Sequence, residues 1–290
     1  MQYMVLPTQI VNVYQLNYGS EKAKGLGDFL RGSLALFQVS RMLGVGFDIH
    51  IQNHPLSEFI VSLDSSSSNP APAPAPAPAP IANWVGVHFN EASHLRRLYK
   101  DLLLFHSSPY YMISNSFPIL EPIPHATRAF LRERMQPTDE MKNYVQQTLA
   151  RLRLSPKQYT VIHIRTGDAF LVKNQPFPLS MAEKIARFVQ NNTHPHKKYL
   201  LLSDSNALKR FLKQRLPFLF VYIKPVTHLG EEGIKTRETI KNTLLDFYIM
   251  RLSQKICGVT RYAHGSGFCQ SSALLFNIPY TIYFTPELFS

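Results

Sequence analysis

Short apolar runs alternate along the chain with longer stretches in which apolar residues recur every three or four positions. The runs predict strands, and the stretches predict amphipathic helices. The predicted strands span residues 9–16, 47–52, 84–89, 111–114, 159–165, 199–203, 218–223 and 280–284. The predicted helices span residues 28–43, 91–105, 127–134, 138–152, 180–190, 207–215, 238–256 and 266–276.

The alternation of strands and helices runs through both halves of the chain. Strand–helix–strand units are right-handed and build mainly parallel sheets. We therefore predict an α/β protein with two Rossmann-type domains, 1–154 and 155–290, that face a cleft. Ligands of such sheets bind beyond the carboxyl ends of the strands, so polar residues that follow strands are the candidates for a site.

A low-complexity segment at residues 65–80 interrupts the first half. Four serines and an asparagine precede a strict Pro-Ala alternation from Pro70 to Pro80. Proline lacks an amide donor and has a fixed φ, so this tract cannot form a helix or a central strand. We interpret it as an extended loop insertion without a core of its own.

Charge and composition narrow the class of protein. The 290 residues include 31 Lys and Arg against 19 Asp and Glu, a formal charge of +12, and 45% of them are hydrophobic. That apolar content supports a sizeable core. The excess positive charge suits a nucleic acid, an acidic membrane surface or a phosphorylated small molecule. The basic residues are dispersed, as is typical of solvated helix faces, so the charge permits a nucleotide ligand but decides nothing alone.

Other broad classes are disfavoured by what the sequence lacks. Two cysteines, Cys257 and Cys269, are too few for a disulfide framework or a four-thiolate metal site. No run approaches the roughly 20 apolar residues of a membrane-spanning helix, and the first residues do not resemble a secretory signal. We therefore expect a soluble protein of the cytoplasm.

The strongest candidate chemistry follows the predicted strand 159–165, where His163, Arg165, Gly167 and Asp168 stand within six residues. The arginine can donate two parallel hydrogen bonds to phosphate oxygens, a geometry that suits a pyrophosphate. Gly167 allows close approach of the backbone to a ligand. Asp168 can orient Arg165 or accept from a ribose hydroxyl. The alternative interpretation is a strand end closed by a surface turn and an internal ion pair.

Two further polar clusters follow other strands of the second half. Asp204 comes directly after the apolar strand 199–203 and can accept from a nucleobase or ribose, while Ser205 can cap the next helix. Ser266, Gly267 and Phe268 begin a predicted helix, whose free amides and dipole favour a phosphate. A plain turn and helix cap is the alternative interpretation of this last cluster.

A fourth cluster lies in the first half, where Gly25, Gly27, Asp28, Arg31 and Gly32 stand between a predicted strand and a helix. The glycines resemble the dinucleotide-binding fingerprint, although the third glycine comes two positions late. A nicotinamide-dependent oxidoreductase built on this turn is one alternative function. A basic module that only binds nucleic acid or glycans is another.

The four clusters together, in this order, resemble the fucosyltransferase-like glycosyltransferase superfamily, which shares a glycine-rich turn, an HxRxGD-type element, a Ser/Thr-Asp element and a small-residue motif before a helix. The resemblance implies a GT-B architecture with an acceptor-side first domain and a second domain that binds a nucleotide sugar. It implies inversion at the anomeric carbon without a metal or other cofactor. It also implies that Arg165 contacts the β-phosphate, Asp204 the nucleoside, and Ser266 with Phe268 the diphosphate and the base.

Two positions depart from the superfamily pattern and leave the donor open between fucose from GDP-fucose and xylose from UDP-xylose. Thr166 stands where a second arginine is frequent, and Asp28 where many relatives have asparagine. The Pro-Ala tract is similar in composition to proteins of chloroviruses, which encode cytoplasmic glycosyltransferases. The expected acceptor is a hydroxyl of an oligosaccharide or glycoprotein.

Inversion in one displacement needs a base, and the predicted base is Asp28, at a turn that faces the cleft in this architecture. Its alternative role is to cap the helix or to complement the helix dipole. Glu231, Glu232 and Asp168 are the reserve candidates. No Asp-x-Asp occurs in the sequence, and His194 and His196 are expected to be solvated, so we predict no metal ligands.

Overall fold

The computed structural model describes residues 6–18, 21–22, 24–62, 82–83, 92–104, 109–114, 123–171, 175–230 and 235–290. The chain divides into two compact units, 1–136 and 137–290. The Ser/Pro-Ala insertion at 65–80, the predicted strand 84–89, Glu231 and Glu232 lie outside the described residues. No helix of the described ranges combines the length and apolarity needed to cross a bilayer.

Within its described residues, the first unit contains a parallel four-stranded sheet and three helices. The sheet has the order β4-β1-β6-β5, and β2 and β3 form a small antiparallel pair. Its strands are β1 (Gln9–Val13), β2 (Asn17–Tyr18), β3 (Glu21–Lys22), β4 (Gly46–His50), β5 (Ala82–Asn83) and β6 (Tyr110–Ile113). Its helices are α1 (Leu26–Leu43), α2 (Ala92–Leu104) and α3 (His125–Arg134), with a 3₁₀ turn at Pro55–Phe59.

Helix α1 lies against the sheet through an unusually close approach to β6. An ideal Cβ at Gly32 would stand 2.2 Å from the Ser114 carbonyl oxygen, so only glycine fits there. The buried Asn12 amide bridges the two elements, since it donates to Ser33 Oγ at 2.8 Å and accepts from the Ser114 amide at 2.9 Å. The helix ends at Gly44, whose φ of +69° supplies the left-handed cap.

The second unit contains a parallel five-stranded sheet with the order β11-β10-β7-β8-β9. Its strands are β7 (Thr160–Arg165), β8 (Tyr199–Ser203), β9 (Phe220–Val221), β10 (Lys255–Thr260) and β11 (Tyr280–Phe284). Its helices are α4 (Asp139–Arg151), α5 (Asp168–Leu171), α6 (Leu179–Asn191), α7 (Asn206–Arg215), α8 (Arg237–Arg251) and α9 (Gly267–Phe276), and a 3₁₀ turn covers Pro286–Phe289. Both units thus confirm the predicted α/β class with parallel sheets.

The prediction of one long helix over residues 238–256 was wrong at its carboxyl end. Helix α8 stops at Arg251, and Lys255–Thr260 form β10, the strand between β7 and β11. The apolar residues of α8 continue into residues 252–256 at a similar spacing. The change from the helical period to the strand period is therefore not visible in the sequence. Two neighbouring strands decide the outcome, because they supply hydrogen bonds to both edges of β10.

The division between the units falls at 136/137, earlier than the predicted boundary at 154/155. Helix α4 belongs to the second unit, because it packs against α8. The Tyr144 hydroxyl donates to Asn242 Oδ1 at 2.6 Å, and Glu140 accepts from Arg237 and from Lys241, each at 2.7 Å. These pairs join residues about a hundred positions apart, which no local pattern reveals.

The contact between Gly32 and Ser114 generates a test of the first unit. Gly32→Ala should lower the free energy of unfolding by about 1–3 kcal/mol, because a methyl group meets a backbone oxygen that cannot rotate away. Helix propensity alone would predict a gain of about 1 kcal/mol. Met42→Ala, at an exposed site of the same helix, is the control. Urea denaturation decides, and a stabilised Gly32→Ala variant would contradict the close approach.

Candidate functional site

Three polar loops of the second unit meet at one edge of its sheet. They follow β7, β8 and β10, which are neighbouring parallel strands in the order β10-β7-β8. The register pairs Arg165 with Thr260 on one side and Ile164 with Ser203 on the other. The carboxyl ends of the three strands therefore stand level, and the residues after them share one site.

Arg165 lies at the centre of this edge between two carboxylates. Its Nη1 donates to Asp204 Oδ2 at 2.5 Å, and its Nη2 donates to Asp168 Oδ1. The Arg165 side chain is 16% exposed and that of Asp204 only 7%. Asp168 thus contacts the guanidinium directly, and both roles predicted for it stay predictions.

In addition to its ion pair with Arg165, Asp204 accepts hydrogen bonds from the loop that follows β7. Its Oδ1 accepts from the Thr166 amide at 2.8 Å and from the Thr166 hydroxyl at 2.6 Å, and its Oδ2 accepts from the Gly167 amide at 3.3 Å. Sequence reasoning missed this role of Thr166, because only the fold brings the two loops together. The predicted contact of Asp204 with a nucleoside stays a prediction.

The Arg165–Asp204 pair is ionised on both sides. Burial raises the pKa of Asp204, but Arg165 and the hydrogen bonds from Thr166 outweigh burial and hold that pKa below its usual value. Burial likewise disfavours the Arg165 cation, but Asp204 and Asp168 more than compensate and raise its pKa. With Asp168, the group carries one positive and two negative charges.

His163 is buried beside this group in its neutral form. The centroids of the His163 and Phe268 rings are 5.9 Å apart. The His163 Nδ1 has no hydrogen-bond partner in the described part of the chain. Burial above all, and the Arg165 cation, lower the pKa of His163 to about 4 against the opposing effect of Asp204. The ring therefore keeps one buried nitrogen without a hydrogen bond among the described residues.

Helix α9 begins at the same edge and brings free amides to it. Ser266 is its buried N-cap residue and makes no side-chain capping bond, and the first-turn amides have no carbonyl partner inside a helix. Gly265 turns the chain with a φ of +82°. Gly167, with a φ of +112°, lies so close to Tyr262 that a Cβ would come within 2.9 Å of its hydroxyl.

Taken together, the edge offers donors to an anion. Arg165 has five N–H groups, and two of them are committed to carboxylates. The amides and the dipole of α9 add a second set of donors near the Phe268 ring. Sequence reasoning predicted the strands before the first two loops, but it missed β10, the strand before the third, and it did not identify Tyr262 as a neighbour of Gly167.

The predicted site residues of the first unit lie at the start of α1. Gly25 is the N-cap residue, Gly27 is buried in the first turn, and the Asp28 carboxylate pairs with Arg31 at 3.2 Å. Asp28 is therefore the third helical residue and not the cap. Residues 14–25, which include β2 and β3, separate β1 from α1. The dinucleotide fingerprint requires a direct strand-to-helix turn, so this arrangement disfavours the oxidoreductase alternative.

A metal site is a separate question. Among the residues that the structure describes, no three His, Cys, Asp or Glu side chains gather closely enough to hold a metal ion. The absence of metal ligands stays a prediction from the sequence.

Comparison with known proteins gives likeness in structure but not in sequence. No protein-family model matches the chain, and no curated protein matches it by sequence. Among solved structures, it is similar to the NodZ α-1,6-fucosyltransferase of Bradyrhizobium crystallised with GDP, with a TM-score of 0.54, 14% identity and coverage of 98% of this chain and 97% of that one. The same enzyme soaked with GDP-fucose gives a TM-score of 0.52 at 13% identity over 93% and 92%.

A plant protein shows the same fold. A variant of Arabidopsis thaliana FUT1 in complex with GDP has a TM-score of 0.52 and 10% identity, with coverage of 95% of this chain and 70% of that one. Identities this low establish the fold alone. The predicted GT-B-like α/β class is therefore confirmed, whereas the predicted cleft and the roles of the individual residues stay predictions.

The burial of neutral His163 generates a test by pH. A folded pKa of about 4 against about 6.5 in the unfolded chain means that the unfolded state binds more protons between these values, so stability falls as pH decreases through them. Between pH 7 and pH 5 the wild type should lose about 2 kcal/mol more than His163→Gln, at 1.36 kcal/mol per pKa unit.

Urea denaturation of both proteins at the two pH values measures this difference. Burial raises the pKa of Asp246 to about 7, so this residue makes stability rise as pH decreases. The effect is present in both proteins and therefore cancels in the comparison. An equal loss of unfolding free energy in the wild type and His163→Gln would show that His163 is already protonated at pH 5 in the folded state.

Proposed function

We propose that the protein is a metal-independent, inverting glycosyltransferase that moves one sugar from a nucleoside-diphosphate donor to a hydroxyl of a glycan. The observation that carries this proposal is Arg165, which stands ionised between two carboxylates at the sheet edge where α9 begins. A cation and helix amides at one edge match the demands of a diphosphate. The likeness in fold to enzymes crystallised with GDP or GDP-fucose supports the same function.

The proposed reaction needs the diphosphate to leave as an anion. The acceptor oxygen forms a bond to the anomeric carbon while the bond from that carbon to the phosphate oxygen breaks, and the acceptor proton passes to a base. Arg165 and the amino end of α9 stabilise the charge that develops on the diphosphate, with dipoles already aimed at it. In this reaction, a side chain and backbone amides stabilise the charge of the leaving diphosphate, which a metal ion does in other transferases.

Fucose from GDP-fucose is the first proposed donor, since the NodZ and FUT1 structures hold GDP or GDP-fucose. Xylose from UDP-xylose is the second, since Thr166 and Asp28 depart from the superfamily pattern. The cytoplasmic location and the relation to chlorovirus enzymes remain predictions from the sequence.

Asp28 is the proposed base. Its side chain is 35% exposed, so an acceptor hydroxyl can reach it, and it stands in the first turn of α1 after the N-cap residue Gly25. Arg31 pairs with it and keeps the carboxylate oriented. Asp168, the reserve candidate among the described residues, is bound to Arg165 and is better suited to orienting that guanidinium.

Substitution of Arg165 tests the diphosphate site. Arg165→Lys should lower kcat/KM for the donor by about 100-fold or more, because lysine cannot donate two parallel hydrogen bonds. Arg215→Lys, at an exposed ion pair with Glu183, is the matched control and should behave as wild type. Initial rates with GDP-fucose and UDP-xylose in EDTA measure the effect, with calorimetric titration of GDP, UDP and NADH alongside.

The result divides the candidate functions. A variant that keeps more than half of the wild-type rate would remove Arg165 from the mechanism, and a strict need for Mg²⁺ or Mn²⁺ would contradict the metal-independent reaction. Tight binding of NADH without GDP or UDP would favour the oxidoreductase.

Substitution of Asp28 tests the base. Asp28→Asn keeps the shape of the side chain but removes its basicity, so transfer should slow by about 100-fold or more while the donor KM changes little. Met42→Ala, at an exposed position of the same helix, is the control and should transfer at the wild-type rate. Single-turnover rates of sugar transfer at saturating donor provide the measurement, and a near-normal rate in Asp28→Asn would mean that another group is the base.

A further inference from the structure

An open cavity of about 180 Å³ lies in the first unit, on one face of its sheet. Helix α1 packs on the other face, where the centroids of the Phe37 and Phe47 rings are 5.8 Å apart. Neighbouring residues of a strand point to opposite faces, so Asp48 points away from α1 and into the cavity that it lines. The described lining includes neither Arg165 nor Asp28, the two residues proposed for the transfer reaction. The cavity is therefore a separate candidate site.

Three neighbouring strands contribute one row of side chains to this cavity. The register pairs Val11 of β1 with Asp48 of β4 on one side and with Tyr111 of β6 on the other. Neighbouring strands are about 4.8 Å apart, so the Cα atoms of Asp48 and Tyr111 stand about 10 Å apart with Val11 between them. A carboxylate and a phenol ring thus flank a short apolar side chain, which leaves room for one ring of a ligand.

The segment 51–62, which follows β4, adds polar groups to the lining. The Gln52 Oε1 accepts from the Ile51 amide at 2.9 Å, and the Ser57 hydroxyl donates to the Gln52 carbonyl oxygen at 3.3 Å. Both side chains line the cavity. The Gln52 amide carries two N–H donors, and the Ser57 oxygen carries two acceptor lone pairs. The lining therefore both donates and accepts hydrogen bonds, as a ligand rich in hydroxyl groups requires.

The charges of the lining cancel. The Arg134 Nη2 donates to Asp48 Oδ2 at 2.9 Å, and the two side chains are 27% and 26% exposed. They are the only Lys, Arg, Asp or Glu residues among the described lining, which also includes His50. An anion would meet the Asp48 carboxylate and a cation would meet the Arg134 guanidinium. A cavity with a paired lining of this kind suits a neutral polar ligand.

We propose that this cavity binds one neutral sugar residue. A sugar ring has hydroxyl groups around its rim and C–H groups on its faces. The hydroxyl groups can donate to Asp48 and accept from Arg134 and Gln52, in bonds that the two charges strengthen. A C–H face can lie against the apolar surface of Tyr111 and Val11. The site goes beyond the proposed transfer reaction, because none of the residues proposed for that reaction takes part in it.

The competing explanation is that the pair of Asp48 and Arg134 only fastens α3 to the edge strand β4, while water fills the cavity. Helix α3 already packs on that strand through Phe130, whose ring centroid is 5.8 Å from that of Phe47. Tyr111 separates the two explanations, since it lines the cavity on another strand and takes no part in the ion pair. A fastening role predicts that loss of the Tyr111 ring leaves every sugar affinity unchanged.

The experiment titrates the full chain with the methyl glycosides of glucose, galactose, mannose and xylose, and with glucuronate as the charged counterpart. A buffer at about pH 8 keeps an ordinary imidazole uncharged. The NMR reporters are the Tyr111 amide and the Ile49 amide, which donates to Asp48 at 2.8 Å, and the Thr166 and Gly167 amides report on the diphosphate site. At least one neutral glycoside should shift the Tyr111 and Ile49 signals saturably, with a Kd of about 1 mM.

Three results of this titration would overturn the proposal. The first is the absence of a saturable shift with all four neutral glycosides. The second is tighter binding of glucuronate than of any neutral glycoside. The third is a set of shifts confined to Thr166 and Gly167, which would place the sugar at the diphosphate site.

Two variants of the cavity extend the test. Tyr111→Val removes the ring wall and Asp48→Asn replaces a charged acceptor by an amide, so each should weaken the glycoside about tenfold. Tyr99→Val, at an exposed tyrosine of α2, and Asp139→Asn, at an exposed ion pair with Lys142, are the matched controls and should bind as the wild type does. Wild-type affinity in either cavity variant would contradict the assigned lining.

Calorimetric titration with GDP separates this proposal from the proposed function. The cavity variants should bind GDP as the wild type does, because Tyr111 and Asp48 belong to the first unit and Arg165 to the second. A parallel loss of GDP affinity would overturn the assignment of a separate site. A wild type that does not bind GDP would refute the proposed function, and the glycoside titration would still decide the cavity. Should Tyr111→Val fail to fold, Asp48→Asn, which keeps the shape of the side chain, carries both measurements.

Discussion

The ion pair between Arg165 and Asp204 is the interaction on which the site depends. Buried charges are costly unless they are paired and hydrogen-bonded, and removal of one partner leaves the other uncompensated. Asp204 meets this condition with Arg165, the Thr166 amide and hydroxyl, and the Gly167 amide. The loop after β7 therefore takes its shape from the carboxylate after β8, and the cation is already in place before any ligand binds.

The parallel sheet makes this pairing possible. Because β10, β7 and β8 run side by side in one direction, their carboxyl ends present three loops to a common edge. The middle strand carries the arginine, one neighbour carries the aspartate, and the other leads to the amino end of α9. A preorganised arrangement of this kind stabilises developing charge without rearrangement during the reaction, which is the property that a glycosyltransferase without a metal requires.

The similarity in fold and the residues of the site support the proposed function in different ways. The NodZ and FUT1 structures share the fold with this chain at 10–14% identity, a level at which the fold hosts many chemistries. The arginine, the neutral buried histidine and the helix start of this chain add the specific argument. Thr166 has a structural use in this loop, because it donates twice to Asp204.

Sequence by itself determined the elements whose signal is local. Periodicity revealed the α/β alternation, the position of Arg165 at a strand end and the cap formed by Ser205, because each depends on residues only a few positions apart. Tertiary structure alone decided that Lys255–Thr260 form a strand, that α4 joins the second unit, and that Asp204 binds Thr166. Those outcomes depend on hydrogen bonds and ion pairs between segments that are distant in the chain. A local sequence pattern does not identify such partners.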